Sequence, residues 1–355
     1  MTCSRESTAP SEIAKPTFDP PGGTYSTSVS VTITCATSGA EIRYSTDGSD
    51  PTEASILYSD PITVSAFTNL KARGFKSGWD PSPVASATYQ VTAQPTGMAY
   101  VDGGSFVTLV LYDITATVTL SSFWIGTHEV RQSEYEAVMG VNPSDYVGPD
   151  KAVEHVSWMN AIEYCNRRSL LEGMTPCYSY GDYGTDPDSW PAGWDTGFGN
   201  HLNVSCDWEA SGYRLPTEHQ WWFAARGGNF NQGYTYSGSN NASAVAWHAG
   251  NTWDLGPGHP DFGTHDVGLK APNELLTYDM SGNVLEYCWD IHGGLIFQDQ
   301  TDPTGYWTTG EYRVVRGGSW LQTSPACRVD WRDGFVPHSI GMNGFRVSRS
   351  ANPRY

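Results

Sequence analysis

The 355-residue chain carries 20 Lys and Arg against 38 Asp and Glu, a net charge of −18, with no basic cluster along its length. Nucleic acid and anionic membrane are poor partners for such a surface, and no apolar run approaches the ~20 residues that span a bilayer. The length suits two domains, and 38 Gly, 22 Pro and 14 Trp favour compact, loop-rich folds over a helical bundle.

Residues 1–15 read as a polar tether. Cys3, followed by Ser4-Arg5-Glu6-Ser7-Thr8, resembles the first residue of a mature bacterial lipoprotein, which implies a lipid there and an outer-membrane, cell-surface location. Without CxxC pairs, the other six cysteines do not suggest a zinc ribbon; they are bridges or buried thiols, and spacing leaves their pairing open.

From residue 16 to 92 the signals are β. Val29, Val31, Ile33 and Cys35 alternate with polar residues, and turns follow at Gly22-Gly23, Asp47-Gly48, Asp50-Pro51 and Asp80-Pro81, so a small all-β sandwich is expected. The run from Ile42-Arg43-Tyr44 to Asp50-Pro51-Thr52, with Tyr58, Pro61-Ile62 and Leu70-Lys71-Ala72, resembles the chitobiase C-terminal β domain. That resemblance implies a spacer; a carbohydrate role through Tyr44, Tyr58 or Trp79 is the alternative.

Thr92-Ala93-Gln94-Pro95-Thr96-Gly97 reads as a linker. Beyond it, residues 98–118 and 123–126 read as strands around Gly103-Gly104, and residues 132–139 as a short helix stopped by Gly140. Residues 153–156 read as a strand, and Ser157 caps a helix to about Leu171. The acidic, aromatic stretch 172–211 lacks the spacing of a calcium loop and reads as a solvated loop. Thr217 and Gln220 form a capping box for a third helix, which the pair Gly227-Gly228 ends.

Six ordered motifs then become visible over residues 98–350. They are Ser122-Phe123-Trp124-Ile125-Gly126, Val156-Ser157-Trp158, the stretch from Tyr213-Arg214-Leu215-Pro216-Thr217-Glu218 to Gly228, Asp279-Met280-Ser281-Gly282-Asn283-Val284-Leu285-Glu286-Tyr287, Arg316-Gly317-Gly318-Ser319-Trp320 and Gly344-Phe345-Arg346-Val347. Together they resemble the formylglycine-generating-enzyme (sulfatase-modifying factor) domain. The resemblance implies an α+β, C-type-lectin-like fold with little regular secondary structure.

It also implies chemistry that this chain departs from. Enzymes of that family oxidise a substrate cysteine with two copper-binding thiolates in the final segment, and the matching positions here are Ser324 and Val329. Cys327 is off both, so no copper is expected and the oxidase reads as lost. The iron-dependent branch is not indicated either, because His248, His259 and His265 lack its helical spacing. A structural calcium site carries over onto Asp279, Gly282, Val284 and Glu286, with Asp in place of Asn keeping an oxygen donor.

Between its anchors, residues 321–343 have neither helical nor strand period, and no single period buries Trp331, Phe335, Ile340 and Met342 together. The anchors resemble the variable proteins of diversity-generating retroelements, whose fixed frame carries substitutable positions within residues 317–346. The positions so assigned are Leu321, Gln322, Thr323, Asp330, Trp331, Asp333, Gly334, Phe335, His338, Ser339, Ile340, Gly341 and Met342. The expectation is a surface-displayed, non-catalytic protein that binds a macromolecular ligand, protein or glycan, through this face; the alternatives are a formylglycine-generating oxidase and a purely structural surface protein.

Overall fold

The computed structural model describes residues 12–25, 29–64, 67–91, 95–111, 114–197, 199–294, 298–305 and 309–351. The expectations for Cys3 and for residues 92–94 of the linker lie outside these. The chain divides into two compact units, Met1–Gln94 and Pro95–Tyr355.

The first unit has two sheets. One joins Thr17–Asp19, Val29–Thr34 and Ile62–Val64; the other runs Gly23–Tyr25, Ala85–Val91, Thr68–Phe75, Glu41–Ser45, Ile56–Leu57. The alternation read from Val29 onward buries Val31 and Ile33 against Val64, Leu70, Ala72 and Tyr89, each large side chain contributing about 1.5–3 kcal/mol. The tether begins earlier than expected to be structural. Ile13 is buried, at a spot where Gly74 leaves room for it, and the Ala14 amide donates to Thr37 Oγ1 at 2.8 Å. Tyr44 and Tyr58 pack edge to face on the core, and Lys76 covers the Trp79 ring at 4.4 Å, so these rings do not form an open aromatic platform.

The second unit is built from short elements around two apolar clusters. Its longer helices are α1 (Gln132–Met139), α2 (Trp158–Leu171) and α3 (Glu218–Ala225), each at the expected bounds, and a single further turn spans Ala242–Val245. Gly140 ends α1 in the left-handed region, φ 75°, and the Ser157 and Thr217 hydroxyls each accept the amide three residues on. A four-stranded sheet runs Asp333–Phe335, Arg313–Arg316, Leu285–Ile291, Asn343–Gly344. Phe123–Gly126 pairs with both Met98–Val101 and Ser348–Ser350, so the two ends of the unit meet in one sheet.

Three expectations are corrected. Val153, Glu154 and Val156 are buried and His155 part-exposed, but residues 153–156 form no strand, because their amides bond to separate partners at Val130, Gly341 and Asn343, and His155 has φ 60°. The stretch 172–211 is not a solvated loop: Tyr178–Tyr180 pairs with Val204–Cys206, and Trp190 and Trp194 are buried against Tyr180 with their own centroids 4.4 Å apart. Within 321–343, Ser324–Cys327 is a 3-10 turn, and Asp333–Phe335 joins the sheet by pairing with the Arg313–Arg316 strand. No disulfide occurs among the described cysteines.

Candidate functional site

The C-terminal segment is held through its backbone. Gly317 and Gly318, at φ 87° and 70°, turn the chain out of the Arg313–Arg316 strand, and a Cβ on Gly318 would sit 2.6 Å from the Ala326 carbonyl. Trp320 is buried in a cage of Tyr146, Trp253 and Phe262. Ser281 donates to the Cys327 carbonyl at 2.8 Å, Arg316 Nη1 to the Trp331 carbonyl at 2.8 Å, and Tyr287 Oη to the Ser339 carbonyl at 3.1 Å. Behind these, Glu218 accepts from Arg316 at 2.6 Å and twice from Arg332, at 2.7 and 2.9 Å.

None of the thirteen assigned positions is buried. Thr323, Asp330, Asp333, His338 and Ile340 are exposed, Ile340 to 60%. Leu321, Gln322, Trp331, Gly334, Phe335, Ser339, Gly341 and Met342 are part-exposed, with Trp331 and Phe335 leaning on the edge of the core. Of the residues between them, Cys327, Val329 and Pro337 are buried, Ser324, Ala326, Arg332 and Val336 are part-buried and Pro325 and Arg328 are exposed; the run 343–347 that follows is buried. Two of the thirteen are sterically constrained: a Cβ on Gly334 would meet the His292 ring at 2.6 Å, and Gly341 sits at φ 133°.

The positions matching oxidase thiols hold Ser324, at the start of the 3-10 turn, and a buried Val329. Cys327 lies between them, fully buried, and burial pushes its thiol up to about 12, which keeps it protonated and unreactive at neutral pH. His248 caps the turn at residues 249–251, while His265 stacks on Trp247 with centroids 3.6 Å apart, and among the described residues no group of three or more His, Cys, Asp and Glu is placed to hold a metal.

The expected calcium residues gather at a buried electrostatic cluster. Asp279 Oδ2 accepts the Gly268 amide at 2.6 Å, while its Oδ1 is buried without a partner. Gly282 must be glycine, since a Cβ would lie 2.2 Å from the Trp247 carbonyl. Glu286 receives Arg346 on both oxygens and the Trp221 indole at 2.8 Å. Glu129, which sequence reasoning missed because no period marks it, accepts the Val284 amide and the Asn283 side chain. Burial, then the neighbouring carboxylates Asp279 and Glu286, raise Glu129 well above its ordinary value; burial raises Asp279 to about 6. Three buried carboxylates against the one Arg346 guanidinium leave excess negative charge. Asp279 Oδ1 is left free for a hard cation, whereas Glu286 keeps only the lone pairs that Arg346 and Trp221 leave, so these carboxylates do not by themselves complete a cation cage.

The fold of the second unit is C-type-lectin-like and α+β, of the formylglycine-generating type. Residues 84–351 match the sulfatase-modifying factor enzyme 1-like domain, and residues 20–86 the chitobiase/beta-hexosaminidase C-terminal domain. The chain belongs to the sulfatase-modifying factor enzyme 1-like family. It is 36% identical over 283 residues to the chaperone protein LppX of Paenibacillus barcinonensis, covering 75% of this chain and 94% of the relative. It is 25% identical to the formylglycine-generating enzyme of Bos taurus, over 76% of this chain and 62% of that one. Among solved structures it is similar to Treponema denticola variable protein 1, at 29% identity and a TM-score of 0.62, covering 79% of this chain and 99% of that chain.

Proposed function

We propose that this chain is a non-catalytic, surface-displayed receptor whose segment 317–346 is diversified by a retroelement and binds a macromolecular ligand, protein or glycan. The observation that carries the reading is the division of labour in that segment. None of the thirteen assigned side chains is buried, though Trp331 and Phe335 lean on the core, while Cys327, Val329, Pro337 and the run 343–347 hold the backbone from within. Exposed substitutions cost little stability, so such a frame tolerates many ligand-binding faces. Trp331, Phe335 and Met342 supply apolar anchors, and Asp330, Asp333 and His338 polar specificity. Similarity to a protein named as variable, and to another named as a chaperone, supports binding over turnover.

The test of diversification is the DNA beside the gene. A near-copy of the codons for residues 317–346 with Asn codons at the assigned positions, next to a reverse transcriptase, is expected; its absence removes that part of the reading. The rival activity is separated by incubating the protein with a cysteine peptide, copper and oxygen, where no formylglycine is expected and turnover overturns the receptor. Calcium is proposed as a structural ion held by Asp279, Gly282, Val284 and Glu286, and a lipid on Cys3 as the membrane anchor, tested by metabolic acyl labelling of the full chain and of Cys3→Ser.

A further inference from the structure

A cleft of about 460 Å³ opens beside the segment, lined by Trp222, Arg226, Arg316, Arg328, Asp330 and Arg332 with smaller neighbours. Four arginines on one cleft are unexpected in a chain of net charge −18. Their bonds divide them sharply. Arg332 engages all three nitrogens on Glu218 and the Gly293 carbonyl, and Arg328 closes on Asp330 with two bonds of 2.8 and 2.7 Å. Arg316 uses both terminal nitrogens on Glu218 and on carbonyls, but its buried Nε has no acceptor. Trp222 is 8% exposed, and its only polar atom, the indole Nε1, has none either. The half-buried guanidinium of Arg226 rests over the Phe106 ring at 5.6 Å, with no carboxylate within ion-pair distance among the described residues. The carboxylates that touch this group are Glu218 and Asp330, so four cations face two anions.

Guanidinium and indole N–H groups can only donate. A half-desolvated cation beside buried donors without acceptors requires a ligand that only accepts and carries negative charge. We propose that this cleft is an oxyanion-binding site, in which Arg226, Trp222 and Arg316 receive a carboxylate or a sulfate or phosphate ester group. Asp330 caps Arg328 at the rim and competes with the incoming anion for it. The site goes beyond the receptor reading and does not rest on it: the anion's partners Trp222, Arg226 and Arg316 lie outside the thirteen assigned positions, and Asp330 alone belongs to both.

The experiment is calorimetric titration of the full chain, at constant low ionic strength, with sodium sulfate, inorganic phosphate and sodium acetate, using sodium chloride as the control. One saturable equivalent is expected, weakened about tenfold by Arg226→Gln and severalfold by Trp222→Phe, and tightened by Asp330→Asn. Leu171→Gln, at the exposed end of α2, is expected to leave it unchanged. Binding of sulfate or phosphate without acetate assigns a tetrahedral ester; binding of acetate assigns a carboxylate. Failure of all three to bind, or equal binding by Arg226→Gln and the unaltered chain, overturns the site, and circular dichroism of each variant separates loss of binding from loss of fold. Because these probes carry no macromolecule, a negative result here leaves the genomic test of the receptor untouched, and the reverse holds.

Discussion

Glu218 carries more of the head's architecture than its place on a short helix suggests. Burial by itself would raise its carboxyl, but Arg316 and Arg332 hold it at about 2, below the ordinary 4.5. Its contribution is therefore fully present above pH 4.5 and lost as pH falls through about 2. Glu218→Gln leaves both guanidinium groups without their anion, and a loss of about 3–5 kcal/mol in urea unfolding at pH 7 is expected. Asp290 shows the opposite sign. Burial and then Glu218 push it up to about 7, so stability is greatest below 3.8 and falls as pH rises through about 7. Asp290→Asn keeps the acceptor for the Glu218 amide and removes the charge. It should therefore raise the melting temperature at pH 8 and change little at pH 4; an equal gain at both would rule out the charge as the cause.

At the level of elements, the segment after the Gly317-Gly318 turn is a surface whose stability resides in its anchors. Ile340→Lys is expected to stay within about 0.5 kcal/mol of the unaltered chain. Phe345→Ala, which empties a buried contact with Tyr135 and Tyr164, should cost about 3–5 kcal/mol. Chemical denaturation checks both, and similar losses would mean that the outer side chains are structural after all. Gly341→Val is expected to behave like an anchor change, since its φ of 133° belongs to glycine.

For the head as a whole, the buried cluster of Glu129, Asp279, Glu286 and Arg346 joins residues far apart in the chain. If calcium completes it, chelation with EGTA should lower the melting temperature by several degrees, and calcium rather than magnesium should restore it; at a hundredfold excess over the dissociation constant the ion is worth about 2.7 kcal/mol. No shift on chelation would mean that Arg346 and bound protons alone balance the carboxylates.

Three helices and their caps could be read from residues 132–140, 157–171 and 217–228 because a cap and a 3.6-residue period are local facts. The same holds for the β alternation from Val29 and for the motifs that mark the family. In residues 317–346 the lack of a shared period implies only that Trp331, Phe335, Ile340 and Met342 are not all buried by one element; the thirteen assigned positions rest on the resemblance to variable proteins. Tertiary structure alone decided the rest. Trp190 and Trp194 are core because the pairing of the flanking strands Tyr178–Tyr180 and Val204–Cys206 folds Tyr180 onto them, and Glu129 meets Asp279 and Glu286 across some 150 residues. Trp222 and Arg226 lie one turn apart at the end of α3, and only the tertiary structure carries Arg316 beside them. A hydrogen bond's absence is a property of three-dimensional surroundings, and no pattern along the chain records it.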